Sequence, residues 1–191
     1  MAGKQAKILT SGQLRLAVAE AGRSRHGRRD QAMLLLSVKA GLRAGEIAGL
    51  TWPMVETSDG HLGDRIELRD GIAKMGSGRM IPLHPDLRQV LMRLRRRRGP
   101  SGYVIESERG GPLRASSVVN WFKAFYGELG FAGCSSHSGR RTFITRAARL
   151  VHRVRGSLRD VQQLAGHRSI EQTQRYIDGD SHAKRRLVAL V

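Results

Sequence analysis

The sequence predicts an α+β domain that is mostly α-helical, with helices around a small antiparallel sheet of three strands. Apolar residues recur at helical spacing near both ends of the chain, which indicates amphipathic helices there. Between residues 52 and 83, short apolar segments alternate with Asp-Gly and Gly-Ser-Gly turns, which indicates strands joined by tight connections. Hydrophobic residues make up 40% of the chain and aromatic residues only 5%, so we expect a mainly aliphatic core. An order of helices, strands and helices is typical of this fold class.

Helices are expected wherever this spacing persists. Their predicted ranges are 10–21, 30–40, 44–50, 85–98, 116–129, 137–151, 158–165 and 170–177. Thr10 has the spacing of a capping box with the residue three positions on, and Pro85 suits the first turn of a helix. Gly41 and Gly166 stand where a helix end favours a left-handed residue. Arg43 is therefore expected in the junction between the second and third helices.

Strands are expected in the middle of the chain. The first two are Trp52–Val55 and Arg65–Leu68, which are short and bounded by turn-forming residues. A tight hairpin should follow, with arms at Ile72–Lys74 and Met80–Leu83 and its turn at residues 76–78. This arrangement places Lys74 on a flexible hairpin.

The charge balance indicates a polyanionic partner. Lys and Arg number 34 against 16 Asp and Glu, a formal charge of +18. Nucleic acid is the first candidate, an anionic membrane surface the second, and a solvated basic surface the third. No stretch approaches the ~20 apolar residues of a membrane span, and the N-terminus lacks the apolar core of a secretory signal. Cys134 is the only cysteine, so an internal disulfide is excluded and a reducing cytoplasm is expected.

Six polar side chains in four short segments can surround one phosphate. They are Arg43 in GLRAGEIAGL, Lys74 in AKMGSGRMIPL, His137 and Arg140 in HSGRRTFIT, and His167 and Tyr176 in LAGHRSIEQTQRYI. An arginine grips two oxygens and keeps its charge, so Arg43 and Arg140 can hold a phosphodiester. A phenol such as Tyr176 needs about 4 kcal/mol to lose its proton at pH 7. His137 can accept that proton, and Lys74 can protonate the leaving oxygen.

Five of these six residues also have an ordinary structural explanation. These explanations are an ion pair with Glu46 for Arg43, solvent exposure for Lys74, and helix-end or core positions for His137, His167 and Tyr176. The order and spacing of the four segments together favour the site.

The four segments resemble, in the same chain order, those of the tyrosine recombinase (phage integrase-like) family. Its signature is Arg, Lys, His-x-x-Arg, His or Trp, and then Tyr, and the resemblance runs from Arg43 to Tyr176. Two positions depart from the family pattern. Gly139 replaces the usual leucine before the second arginine, and Ala165 replaces the leucine of Leu-Gly-His.

The resemblance implies a catalytic domain over residues 1–180, with the fold of tyrosine recombinase catalytic domains. A tail at residues 181–191 would be exchanged between subunits. The usual N-terminal DNA-clamping domain is missing, so the chain would be either the catalytic-domain fragment of a longer recombinase or a short family member, and the second is favoured.

The resemblance implies a site-specific recombinase that cuts and rejoins DNA without metal, ATP or another cofactor. Its implied catalytic residues are Arg43, Lys74, His137, Arg140, His167 and Tyr176, with Glu46 supporting the first arginine. Tyr176 would form a 3′-phosphotyrosyl link, and Lys74 would protonate the 5′-oxygen. DNA contacts are expected from Arg79, Arg95, Arg96, Arg97, Arg98 and Arg141. The implied partners are double-stranded DNA, further copies of the chain in a tetramer on paired sites, and accessory DNA-bending proteins, all in the cytoplasm at the nucleoid.

Two other functions stay open at this point. A non-catalytic DNA-binding regulator needs only the +18 charge. A type IB topoisomerase-like enzyme uses a similar residue set to relax supercoils. Integration, excision and inversion all stay open as well, because the pairing of the DNA sites decides among them.

Overall fold

The computed structural model describes residues 6–73, 76–96, 102–176 and 188–189. Its elements are α1 (Ser11–Arg23), α2 (Gly27–Lys39), α3 (Ala44–Gly49), β1 (Arg65–Leu68), β2 (Arg79–Pro82), α4 (Pro85–Arg95), α5 (Ala115–Glu128), α6 (Ser138–Leu150), α7 (Leu158–Ala165) and α8 (Ile170–Gln174). Short 3₁₀ turns cover Trp52–Met54 and Val151–Val154. The predicted class, mostly helical with a small antiparallel sheet, is confirmed. No helix in this described part of the chain has both the length and the apolarity that crossing a bilayer requires.

The sheet is smaller than predicted. β1 and β2 run antiparallel, with Leu68 opposite Arg79, and within the described residues the sheet has these two strands only. The predicted strand at Trp52–Val55 is wrong, because its first three residues form a 3₁₀ turn. Pro53 explains this difference, since proline has no N–H to donate to a strand ladder.

The predicted hairpin arm at Ile72–Lys74 is also wrong at the residues that the structure describes. The N–H groups of Ile72 and Ala73 donate to the carbonyl of Arg69 at 3.2 Å each, which is the bonding of a turn. β2 pairs with β1 instead. Lys74 itself lies outside the described residues.

Helix ends follow the local signals closely. At α1, the N–H of Gln13 donates to Thr10 Oγ1 at 3.1 Å in the expected capping box. α7 has the predicted bounds, and Gly166 after it has a φ of +60°. α2 begins at Gly27, earlier than predicted. A Cβ at Gly27 would lie 2.2 Å from the carbonyl oxygen of Gly22, so the backbone of this residue approaches the end of α1 closely. That close approach allows a tight connection between α1 and α2.

α2 is the central element of the core. It packs against α1, α4 and α6, and α3 packs against α5. A second, smaller apolar cluster joins α6 to α7. Its buried members are Ile144, Ala148, Val151, Val161 and Ala165, and Tyr176 packs against them. α7 is therefore fixed to α6 by apolar contacts, and its C-terminus reaches the junction between α2 and α3.

Gly139 brings the start of α6 close to α2. A Cβ at Gly139 would lie 2.2 Å from Ser37 Oγ, so a larger side chain would push the two helices apart. The next residue, Arg140, then reaches the carbonyl oxygen of Gly41 with its Nη1 at 2.6 Å. The glycine at this position therefore has a packing cause.

Replacing Thr142 by valine should destabilise the protein. Thr142 is fully buried, and its Oγ1 accepts the N–H of Leu9 at 2.9 Å while donating to the carbonyl of Ser138. Valine keeps the shape but leaves the buried N–H of Leu9 without an acceptor. We expect the free energy of unfolding in urea to fall by about 1–3 kcal/mol.

Thr57→Val is the matched control, because Thr57 is exposed and its hydroxyl donates to a loop carbonyl that water can reach. Its effect should stay within about 0.5 kcal/mol. Equal effects of the two substitutions would show that the contact between Leu9 and Thr142 does not stabilise the fold.

Candidate active site

The residues that the sequence singled out converge on one cleft of about 440 Å³. Its lining residues are Ala6, Arg43, His137, Arg140, Arg141, His167, Gln172, Arg175 and Tyr176. Five of the six predicted catalytic residues are among them, and they come from three of the four predicted segments. The sixth, Lys74, lies outside the described residues. The roles of all six stay predictions at this point.

Three arginines converge on the C-terminus of α7 by donating to three consecutive carbonyl groups. The contacts are Arg79 Nε to Leu164 O at 2.9 Å, Arg140 Nη2 to Ala165 O at 2.6 Å, and Arg43 Nη2 to Gly166 O at 3.5 Å. The two preceding carbonyls accept the N–H groups of Gly166 and His167 in the left-handed turn. Carbonyls at a helix C-terminus lack helical partners and carry partial negative charge, so they attract cations.

Glu46 is the carboxylate that supports this group of arginines. Its side chain is 1% exposed, and its two oxygens accept from Arg79 at 3.1 and 3.0 Å. Arg43 donates to it as well, from Nη1 at 2.7 Å and from its backbone N–H at 2.9 Å. Burial opposes the ionisation of Glu46, but Arg79 and Arg43 outweigh it and hold the pKa of Glu46 below its ordinary value. The predicted support of Arg43 by Glu46 therefore exists as a direct contact.

Arg140 is a buried cation that the described residues neutralise incompletely. It is 4% exposed, and it donates to the carbonyls of Gly41 and Ala165 at 2.6 Å each. None of the ion pairs in the described part of the chain includes it. Burial, with a smaller contribution from the charge of Arg43, lowers the pKa of Arg140 to about 10, so it remains protonated at neutral pH. A buried cation held only by carbonyls favours the entry of an anion.

His167 lies between these arginines and Tyr176. Burial, and then the charges of Arg140, Arg43 and Arg79, lower the pKa of His167 to about 4, so its ring is neutral at neutral pH. Its Nδ1 lies 2.9 Å from the buried hydroxyl of Thr173. Its ring stacks on that of Tyr176, with centroids 5.4 Å apart and an interplanar angle of 25°.

The remaining lining residues complete the cleft. His137 is exposed at the start of α6, and Arg141 has a buried Nε without a hydrogen-bond partner. Gln172 and Arg175 were not predicted from the sequence. Gln172 precedes Tyr176 by four residues, and this helical spacing could have identified it.

A second cleft of about 470 Å³ adjoins the first, and both are lined by His167. Its other lining residues are Gly76, Ser77, Gly78, Arg79, Arg159, Gln162, Gln163, Gly166 and Arg168. Arg79, predicted as a DNA contact, has a side chain that is only 6% exposed. Within the described residues, no three His, Cys, Asp or Glu side chains are close enough together to ligate a metal ion.

The predicted arginine patch at the end of α4 lies away from both clefts. Arg95 pairs with Glu56 and donates to the carbonyl of Gly60. Arg96 is exposed at the C-cap and lines neither cleft. Arg97 and Arg98 lie outside the described residues.

Comparison with known proteins identifies what this chain is similar to. A family model described as the phage integrase family matches residues 7–182. Tyrosine recombinase XerC of Methylobacterium sp. (strain 4-46) is 32% identical over 161 residues, which cover 80% of this chain and 46% of that protein. The chain thus spans about half the length of the curated relatives it matches.

Two solved structures show the same fold. The crystal structure of XerA recombinase superposes with a TM-score of 0.75 at 21% identity, covering 96% of this chain and 64% of that one. A Tn1549 transposon integrase in complex with a circular intermediate DNA gives 0.78 at 17% identity, covering 100% of this chain and 67% of that one.

Replacing Gly166 by alanine should destabilise the end of α7. A Cβ at Gly166 would lie 2.9 Å from Arg79 Nη1 and 3.1 Å from Arg79 Cδ, and the φ of +60° disfavours any side chain. We expect a loss of about 1–2 kcal/mol from the free energy of unfolding in urea. Gly127→Ala is the control, since a Cβ there meets nothing within 4 Å. A Gly166 variant as stable as this control would contradict the packing described.

The imidazole of His167 should titrate at about pH 4 in an NMR pH series, because burial and three nearby cations disfavour its protonation. Arg43→Gln removes one of those cations and should raise this pKa. Arg153→Gln, on an exposed turn outside both clefts, should leave it unchanged. Because the pKa in the folded state lies below the ordinary value of 6.5, the contribution of His167 to stability is present above that pH and is lost as pH falls through about 4. An unshifted pKa in the wild-type protein would contradict the burial of the ring.

Proposed function

We propose a function from the premise that this chain belongs to the phage integrase family, whose model matches residues 7–182. The chain cuts and rejoins double-stranded DNA in site-specific recombination, through a covalent link between Tyr176 and a 3′-phosphate. One observation carries the proposal. A single cleft holds a phenol, two imidazoles and two arginines that are anchored on the same helix end.

The cleft suits a phosphodiester because its charged side chains are all cationic. Arg43, Arg140, Arg141 and Arg175 line it, and no carboxylate is among its described lining residues. The one supporting carboxylate, Glu46, is buried behind Arg43 and Arg79. Arg43 and Arg140 bind the non-bridging oxygens and stabilise the charge that develops on them during displacement. The neutral ring of His167 adds a hydrogen bond to the same oxygens.

Tyr176 is the nucleophile of the proposed reaction. Its oxygen attacks the phosphorus, a Tyr176 O–P bond forms, and the bond from phosphorus to the 5′-oxygen breaks. Arg140 lines the same cleft, and its cation stabilises the negative charge of the displacement as the bond to phosphorus forms. His137, exposed at the edge of the cleft, accepts the proton of the phenol.

Lys74 protonates the leaving 5′-oxygen in this proposal, on the strength of the motif alone. The residues just after it, Gly76 to Gly78, line the second cleft beside His167. The phosphotyrosyl bond conserves the energy of the broken linkage, so rejoining needs no ATP.

The proposal extends to the assembly. The charge of +18 supports salt-dependent binding to the DNA backbone, with Arg141 and Arg96 as exposed or half-exposed candidates for phosphate contacts. Residues 1–180 form the catalytic domain, and the tail at residues 181–191 passes to a neighbouring copy in a tetramer on paired DNA sites. Accessory DNA-bending proteins and a cytoplasmic, nucleoid-associated location belong to the same proposal.

Trapping the covalent intermediate tests the function. In a DNA site nicked just beyond the scissile phosphate, cleavage releases a short fragment that carries the free 5′-hydroxyl. This fragment diffuses away, so the tyrosyl adduct accumulates and migrates slowly on a denaturing gel. Tyr176→Phe should abolish the adduct, because it removes the attacking oxygen. Tyr126→Phe is the matched control, since the buried hydroxyl of Tyr126 has no hydrogen-bond partner and lies outside the cleft.

The alternatives give different results in the same assay. DNA binding without any adduct in the wild-type protein would indicate a non-catalytic regulator. An adduct that persists in Tyr176→Phe would show that another residue is the nucleophile. Relaxation of a supercoiled plasmid that lacks any recognition site would indicate topoisomerase-like activity instead.

A further inference from the structure

We propose that Arg79 is a positioning residue: it holds Arg43 and the His167 turn in the geometry that binds the scissile phosphate, through Glu46 and the C-terminus of α7. This inference rests on the proposed function. It assigns Arg79 a role different from the DNA contact expected from the sequence.

Arg79 is almost entirely enclosed by groups that its guanidinium binds. Its side chain is 6% exposed. Nε donates to Leu164 O at 2.9 Å, and Nη1 and Nη2 each donate to one oxygen of Glu46. Nη1 also reaches the carbonyl of Ser77 at 3.3 Å. One side chain therefore joins β2, α3, α7 and the loop before β2.

Glu46 is shared between Arg79 and Arg43, and this sharing sets the position of Arg43. Arg79 binds both carboxylate oxygens, while Arg43 donates to Oε1 from its side chain and to Oε2 from its backbone. Without Arg79, both oxygens would be available to the Arg43 guanidinium. Arg43 could then form a bidentate ion pair with Glu46, and this would move its guanidinium away from the cleft and from a bound phosphate.

Arg79 also supports the turn that carries His167. A Cβ built on Gly166 would lie 2.9 Å from Arg79 Nη1, so the backbone of this turn rests directly on the guanidinium. Removing the side chain would leave space below the turn and an unsatisfied carbonyl at Leu164. His167 would lose its fixed position beside Tyr176.

A lysine cannot replace this arrangement. The acceptors around Arg79 are arranged for a planar fork with several donors, and an ammonium group is a compact point charge that cannot bind a carboxylate through two parallel hydrogen bonds. Arg79→Lys preserves the charge and most of the volume but loses the fork. It is therefore the informative variant, and it is the one expected to keep the fold.

The test measures cleavage and binding separately, in the full chain with the nicked DNA site. At saturating protein, Arg79→Lys and Arg79→Ala should slow single-turnover formation of the adduct by about 10- to 100-fold, as expected when a phosphate-binding group is misplaced by about 1 Å. The Kd for DNA and its salt dependence should stay close to wild type. Thermal unfolding of each variant checks that it is folded, and Arg79→Lys decides the result if Arg79→Ala is not.

A DNA contact by Arg79 would give the opposite pattern. It would weaken binding and reduce the slope of log K against log salt by about 1. Arg159→Ala is the matched comparison, because Arg159 lines the same second cleft and is exposed. The same change of slope in the Arg79 and Arg159 variants, without slower cleavage in the former, would overturn the positioning role.

A neutral methylphosphonate at the scissile position provides a second readout. It removes the charge that Arg43 and Arg140 balance, so loss of their alignment should matter less. On this substrate, the ratio of the wild-type cleavage rate to that of each Arg79 variant should be smaller than on the phosphodiester. The same is expected for Arg43→Ala. The inference would be contradicted if this rate ratio were the same on both substrates, or if folded Arg79→Lys cleaved the DNA as fast as the wild-type protein. If the wild-type protein forms no adduct, the proposed function itself fails; a wild-type adduct with unaffected Arg79 variants defeats this inference alone.

Discussion

The candidate site depends on the hydrogen bonds that three guanidinium groups donate to the C-terminus of α7. A helix leaves its last carbonyls without helical partners. Here the left-handed turn at Gly166 satisfies two of them, and Arg79, Arg140 and Arg43 satisfy the next three in order. The cations come from β2, from α6 and from the junction before α3, so a helix of eight residues fixes side chains from three distant parts of the chain. Because the acceptors are backbone atoms, their spacing is set by helical geometry and not by side-chain conformation.

This arrangement gathers positive charge at a cost that the fold offsets only in part. Arg43 and Arg79 share the carboxylate of Glu46, and within the described residues Arg140 is left with carbonyl partners alone. Burial disfavours the charge of Arg140 and lowers its pKa to about 10. The guanidinium still remains protonated at neutral pH. A phosphate between Arg43 and Arg140 would supply the missing negative charge. The buried positive charge therefore favours the binding of an anion, which in the proposed function is a phosphate of the nucleic acid backbone.

The sequence predicted the site better than the sheet, and the reason is physical. Chemical groups and helix-ending signals are local, so Arg43 with Glu46, the bounds of α7 and the role of Gly166 could be predicted from neighbouring residues. Strand pairing is not local. The segment at residues 72 and 73 has strand-like residues, but only the folded chain shows that β2 pairs with β1. The surroundings of Arg79 also depend on contacts that are distant in the sequence. Its charge suggested a surface contact, and its burial depends on Glu46 and Leu164, which are 33 and 85 residues away.

The same cations affect the position of Tyr176 indirectly, through His167. α8 has five residues, too few to be stable alone, so its position depends on contacts with its surroundings. One contact is the stack of the Tyr176 ring on His167, and another is the hydrogen bond from Thr145 Oγ1 to the carbonyl of Tyr176 at 3.2 Å. A protonated His167 would be repelled by Arg140, Arg43 and Arg79, whereas the neutral ring can remain between them and the phenol. Burial, together with the three arginines, thus keeps His167 neutral, and its ring stacks on Tyr176, the proposed nucleophile.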